Sequence, residues 1–292
     1  MSVIIRACRG FYFIVISRLA SLARKIISVI RIQTMIYNNE KYYLKAGKAS
    51  DFSRNEDRIL YRFLEMLPGS IAWSTILGIV VTSVFFPIFA SFFIIAFDLY
   101  WLLKTVFLSL HLRASHKQMK RNLSVNWPEK LEKLNPSEYK IAVSHWSEIY
   151  HLIILPFFKE PIGVIRDSLE AVLKSGSYAK NNFILVLGIE ERAGKEAQEI
   201  AQKLKEEFGE KFFRFMIASH PDNIRGEIPG KGANETWAAK KAKEEIIDPR
   251  HIPYENILVS SFDVDSRVFP SYFSLLTYYY LTAENPTKSS YQ

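Results

Sequence analysis

Cysteine is nearly missing from this chain of 292 residues: Cys8 is the only one. That excludes an intramolecular disulfide, leaves no cysteine spacing for zinc, and fits a reducing compartment. Charge is missing from Ile71 to Phe97, where no Asp, Glu, Lys or Arg occurs. Acidic residues are missing from the first 34 positions, which carry Arg6, Arg9, Arg18, Arg24, Lys25 and Arg31 around the apolar run Phe11 to Ile16. No internal repeat or low-complexity tract is present. Against these gaps stand a hydrophobic share of 49%, with 21 Phe and 15 Tyr, and a formal net charge of +8. A positive chain suits nucleic acid, an anionic membrane face or a phosphate-bearing substrate.

The charge-free run continues in apolar character past Asp98 to Leu110. A bilayer core takes roughly 20 apolar residues per helical span, so this length supplies two short spans. The pattern predicts a transmembrane helical hairpin over 67–110 that breaks near Pro87. One long kinked helix is the competing arrangement, because Phe85-Phe86-Pro87-Ile88-Phe89 lacks a polar turn; a buried hairpin in a soluble protein is the third. Lys45, Lys48, Arg54, Arg58 and Arg62 precede the segment, and Lys104, Arg113, Lys117, Lys120 and Arg121 follow. Positive charge is retained on the cytoplasmic side, so two positive flanks predict an even number of crossings. Asp98 and Lys104 are expected toward the interface. The first 66 residues form a basic N-terminal region, whose first 34 read as an interfacial helix, a signal-like segment, or a stretch preceding a start at Met35. Residues 111–149 read as a basic, polar connector containing Trp127-Pro128.

From position 150 the pattern alternates strand and helix. Strands are predicted at His151–Leu155, Phe183–Leu187, Phe213–Ser219 and Asn256–Phe262. Helices are predicted from Pro161 through Leu173, over Lys195–Phe208, and over Asn234–Ile247. Such alternation is the signature of a parallel α/β sheet covered on both faces, with its ligand site outside the carboxyl ends of the strands. The polar residues gather at those ends. Pro156-Phe157-Phe158-Lys159-Glu160 follows the first strand, Glu190-Glu191-Arg192 the second, and Asp263-Val264-Asp265 the last. Glu191 and Arg192 read as loop charges or caps. Two carboxylates at i and i+2 after a buried strand are hard oxygen donors suited to Mg²⁺ or Mn²⁺. Between the third strand and its helix, Gly230-Lys231-Gly232-Ala233-Asn234 puts backbone amides and a lysine where an anion would approach a helix N-terminus. It is not a Walker loop, since Gly-x4-Gly-Lys-[Ser/Thr] is absent.

Taken together, these motifs resemble the nucleotide-sugar half of the membrane-associated family-two glycosyltransferases, the GT-A group that includes cellulose-synthase-like enzymes. The resemblance covers His151 to Asn285 and implies a GT-A, Rossmann-like, mostly parallel sheet over residues 150–292. It implies that Pro156, Phe157 and Glu160 match the family's Pro-aromatic-x-Glu loop, with Glu160 near the nucleotide base. Glu190 stands where the family carries an Asp that contacts the base. Lys231, Gly232 and Asn234 match its Lys-Gly-x-Asn element, implying contact with donor ribose or diphosphate. Asp263 and Asp265 match its Asp-x-Asp, implying Asp265 as direct metal ligand and Asp263 as ribose-side or water-mediated partner. The implied activity is metal-dependent, inverting transfer of a sugar from a nucleoside diphosphate to a saccharide, lipid or protein acceptor. The implied place is the plasma membrane, multi-pass, with the catalytic domain cytoplasmic. Family members continue into an acceptor half with a carboxylate base and a Gln-x-x-Arg-Trp element. Neither occurs here, so the catalytic base is expected to lie outside this sequence. A membrane-tethered nucleotide-sugar-binding module without turnover is the alternative. Nucleic acid is not the expected partner, because basic residues cluster beside the apolar segment.

Overall fold

The computed structural model describes residues 46–52, 54–175, 179–224 and 226–291. The expectations for the N-terminal basic stretch fall outside the described residues. Two compact units are present, one holding the described residues up to Arg62 with Gly226 and Glu227, the other the rest. In the first unit the Asp51 carboxylate accepts from the Gly47 and Lys48 amides, each at 3.0 Å. Arg58 donates to the Phe52 carbonyl at 2.6 Å, and Tyr61 to the Gly47 carbonyl at 3.2 Å.

Helix α1 spans Asn55–Phe85 and helix α2 spans Pro87–Leu123. Both are long and apolar enough to cross a membrane, with mean hydropathies of 1.6 and 1.7 over their most apolar stretches. At 1.5 Å per residue each exceeds the roughly 30 Å of a hydrocarbon core. None of either apolar stretch is buried, which sets aside the soluble core hairpin. Six of their hydroxyls are satisfied internally: Thr75, Thr82, Ser83, Ser91, Thr105 and Ser109 each donate to the carbonyl four residues earlier, at 2.7–2.9 Å. That arrangement suits surroundings without water. The helices are joined by one residue, Phe86, at φ −138° and ψ 62°. Pro87 causes the break, because it lacks an N–H and disfavours helical geometry in the residue before it. The Phe86 amide still donates to Thr82 at 2.7 Å, so no polar turn intervenes. Lys104 lies over the rings of Trp101 (4.6 Å) and Tyr100 (5.8 Å).

The connector is more ordered than expected. Asn126 caps a short helix α3, Trp127–Glu132, and buries Trp127 against Tyr278. Beyond it four parallel strands, β1 Tyr150–Phe157, β2 Phe183–Glu190, β3 Arg214–His220 and β4 Ile257–Ser261, form one sheet in the order β3-β2-β1-β4. Five helices accompany them: α4 Ile162–Lys174, α5 Ala179–Asn182, α6 Lys195–Phe208, α7 Lys231–Ala242 and α8 Tyr272–Thr282. Strand alternation divides the core. Ile153, Leu155, Leu185 and Leu187 pack with Ile165, Leu169, Leu204 and Phe273 on one face. Leu152, Ile154, Ile184 and Val186 pack with Ala238, Ala242 and Ile246 on the other. Each fully buried Leu, Ile or Phe stabilises the sheet by about 1.5–3 kcal/mol. The expected parallel α/β architecture is therefore present, with differences of boundary. Pro156 and Phe157 belong to β1 and not to its loop, β2 runs on to include Glu190, and α7 begins at Lys231 instead of Asn234 and ends at Ala242.

The first strand also carries a polar core residue that its apolar run does not announce. His151 is fully buried on β1, edge-on to Phe183 and Phe273 at ring distances of 5.2 and 4.9 Å. Its Nε2 lies 3.0 Å from the Thr277 hydroxyl, which itself donates to the Phe273 carbonyl. The hydroxyl proton being committed there, Nε2–H is the donor. Burial lowers the imidazole pKa to about 3.

Candidate functional site

The strand order sets the position of the site. The chain steps outward from β1 through β2 to β3, then returns past β1 to β4, so the direction of winding reverses between β1 and β4. At such a reversal the segments leaving adjacent strands part, and a crevice opens at the carboxyl ends. A cleft of about 620 Å³ lies there, lined by Pro156, Phe158, Glu160, Glu190, Lys231 and Asn234 together with Asp263 and Asp265. Of the expected site residues Gly232 alone stands outside this lining; it is exposed on α7.

Each wall is fastened differently. Glu160 turns back on its own loop, its Oε2 accepting from the amides of Phe158 (2.6 Å) and Lys159 (3.0 Å). Glu190 is buried at the end of β2 and paired with Arg192 at 2.5 Å, and this pairing raises the guanidinium pKa further. Arg192 also lies over the Phe158 ring at 5.2 Å. Arg192 is thus the partner of a buried carboxylate, where the sequence suggested a loop charge or a cap.

Helix α7 enters the cleft at its N-terminus. Gly230 precedes it at φ 157° and ψ −177°, backbone space that glycine alone adopts easily. Lys231, the first helical residue, carries its ammonium to Asp263 and lies 3.6 Å from Glu235. The hydrogen bond to Asp263 raises the lysine pKa. Glu235 in turn accepts from the Ser261 hydroxyl at 2.8 Å, so α7 and the end of β4 share one polar chain. Asn234 is buried, and its Nδ2 donates to the Gly188 carbonyl at 2.9 Å while Oδ1 has no partner among the described residues. It anchors the helix start to β2 from beneath the cleft.

The Asp263-Val264-Asp265 turn presents its two carboxylates to solvent and buries Val264 between them. Ser168 of α4 donates to the Val264 carbonyl at 2.5 Å, and Arg267 pairs with the neighbouring Asp167. Asp265 is the cleft carboxylate with neither hydrogen bond nor ion pair among the described residues. No group of three or more His, Cys, Asp or Glu able to hold a metal occurs among the described residues. Two carboxylates on one turn are nonetheless a hard oxygen pair, the type of set that leaves most of an ion's shell to water and phosphate. A second cavity, about 860 Å³, runs beside β4 and is lined by Val259, Tyr272, Tyr280 and Tyr291 among others.

Ser168 and Gly188 were not singled out from the sequence, and Arg192 and Phe158 were given no site role there. The signal for Arg192 was present, an opposite charge two positions from Glu190; the others act through contacts distant in the chain. Comparison with family models, curated proteins and solved structures finds no match to this chain. What the arrangement defines directly is a parallel α/β domain with a polar, switch-point cleft, preceded by two helices of membrane-spanning length.

Proposed function

We propose that the cleft binds a nucleoside diphosphate sugar together with a divalent ion, in a membrane-anchored glycosyltransferase. The observation that carries this reading is the meeting of the Asp263-Val264-Asp265 turn with Lys231 and the start of α7 at the reversal between β1 and β4. Asp263 and Asp265 would hold Mg²⁺ or Mn²⁺. Such an ion, when bound, neutralises the charge that develops on a departing diphosphate. Lys231, released from Asp263, has the reach and charge to meet a phosphate oxygen, and the unsatisfied amides at the start of α7 face the same way. Phe158 and Arg192 offer a flat, partly cationic surface to a nucleotide base, beside Glu160 and Glu190. Pro156 and Asn234 hold the walls.

On this reading α1 and α2 cross the plasma membrane as a pair, with both positive flanks and the sheet domain in the cytoplasm. Calorimetry of the purified chain with a panel of nucleoside diphosphate sugars, with and without Mn²⁺, tests the site. Metal-dependent binding of at least one donor is expected. Failure of every donor to bind in Mn²⁺ overturns the proposal.

Binding without turnover is the second reading, and a specific observation favours it. Glu160 is held by its own loop, Glu190 by Arg192 and Asp263 by Lys231. A cleft carboxylate so engaged is not free to take a proton from an acceptor hydroxyl, and Asp265, the unengaged one, is assigned to the metal. Donor hydrolysis or transfer by this chain alone distinguishes the two.

A further inference from the structure

Helix α2 does not stop where its apolar stretch stops. It runs on without a break to Leu123, and this last portion is built differently from the rest. Arg113, His116, Lys117, Lys120 and Arg121 succeed one another at spacings of three, one, three and one, which sets all five on one side of the helix. Leu112, Met119 and Leu123 form an exposed apolar stripe along one flank of that row. Ser115, Gln118 and Asn122 occupy the far side. No Asp or Glu occurs between Asp98 and Glu129.

Several cations of the sheet domain have carboxylate partners. Lys133 has Glu129, Arg166 has Glu207, Lys174 has Glu170 and Lys243 has Asp248, at 2.5–3.0 Å. Arg113, Lys117, Lys120 and Arg121 have no carboxylate partner among the described residues. Five cationic or protonatable side chains on one face, beside an apolar stripe and directly continuous with a membrane-length helix, complement a surface that is negative and apolar at once.

We propose that this face of α2 docks on the anionic phospholipid headgroups of the leaflet from which the helix emerges. The proposal rests on the reading of α1 and α2 as spans. Arg113 and Lys117 reach the phosphates, Lys120 and Arg121 sit within the roughly 8 Å over which surface charge acts at physiological salt, and Leu112 enters the acyl boundary. Docking along a face, and not mere proximity to a charged surface, fixes the helix's rotation about its own axis.

The test is amine acetylation of the full chain in lipid nanodiscs, followed by mass spectrometry. In discs containing phosphatidylglycerol, Lys117 and Lys120 are expected to react about fivefold more slowly than in phosphatidylcholine alone. High salt should restore the rate, and Lys203 on α6 should react equally in both lipids. Arg113→Gln with Arg121→Gln should weaken the protection, and Arg113→Lys with Arg121→Lys should keep it. A lysine introduced by Gln118→Lys, on the far side, should remain reactive; equal protection there would reduce the effect to general surface potential and overturn the docking face. Equal labelling of Lys117 and Lys120 in both lipids, with the chain resistant to alkaline carbonate, overturns the docking and leaves the spans intact. Release by carbonate overturns both. Protection by an oligonucleotide in uncharged discs, with none from phosphatidylglycerol, assigns the row to nucleic acid instead.

Discussion

The side chain of Asn234 rests on Gly188: its Nδ2 donates to the Gly188 carbonyl at 2.9 Å, and a Cβ at position 188 would stand 2.8 Å from its Oδ1. The first turn of α7 can thus approach β2 only because position 188 has no side chain. Gly188→Ala is expected to cost about 1–3 kcal/mol through overpacking and to weaken donor binding by displacing Lys231. Urea unfolding gives the first and calorimetry the second; a variant as stable as the parent would mean that α7 shifts without penalty.

Lys231 and Asp263 neutralise one another when no ligand is bound, so a divalent ion must compete with the ammonium for the carboxylate. Lys231→Met should therefore tighten binding of Mn²⁺ alone and weaken binding of a nucleoside diphosphate in its presence. Opposite signs are the signature. Losses or gains of both together would reduce the pair to an ordinary surface ion pair, worth at most about 1 kcal/mol.

Ser168 fixes the acidic turn from below. Ser168→Ala leaves the Val264 carbonyl without its donor, and a buried acceptor so abandoned costs about 1–3 kcal/mol. Lower stability should be accompanied by weaker Mn²⁺ affinity, because Asp263 and Asp265 flank the freed carbonyl. Unaltered affinity would show that the turn holds its shape unaided.

His151 ties stability to pH. The imidazole titrates at about 3 in the fold against the ordinary 6.5 when unfolded, so on acidification the unfolded chain takes up the proton first. Its contribution is complete above pH 6.5 and is lost as pH falls toward 3, at about 1.4 kcal/mol per pH unit. Urea midpoints between those limits should fall less steeply for His151→Gln than for the parent. Parallel slopes would exclude this residue as the source.

Membrane orientation follows from the flanking charge. With Cys8→Ser as background, cysteines at Ala49 and Ser124 are expected to share one accessibility to an impermeant thiol reagent in intact cells. Labelling at only one position would mean an odd number of crossings.

The strands were legible because each is an apolar run closed by polar residues, and the parallel order because helices with one apolar face separate them. The cleft was legible for a related reason: in such a sheet the residues after each strand share one edge, so Glu160, Glu190 and Asp263 could be gathered without knowing any distance. What stayed hidden depends on register. Gly188 matters through Asn234, 46 residues away, and Ser168 through a turn 96 residues away. Gly230 hid the start of α7, since a glycine followed by lysine reads as loop until its backbone angles are known. The engagement of Glu160 by its own amides likewise has no periodicity to betray it.

β1 lies between two strands, whereas β4 has β1 as its only strand neighbour. Amide protons therefore divide by position: those of β1 and β2 are released to deuterium only when the sheet opens as a whole, those of β4 also when this margin alone peels away. The turn bearing Asp263 and Asp265 hangs from that margin. Its bonds to α4, through Ser168 to Val264 and Arg267 to Asp167, tether it to a helix on the sheet's interior side. Deuterium uptake at Val264 and Ser266 should thus report the state of those two tethers hours before the central strands exchange.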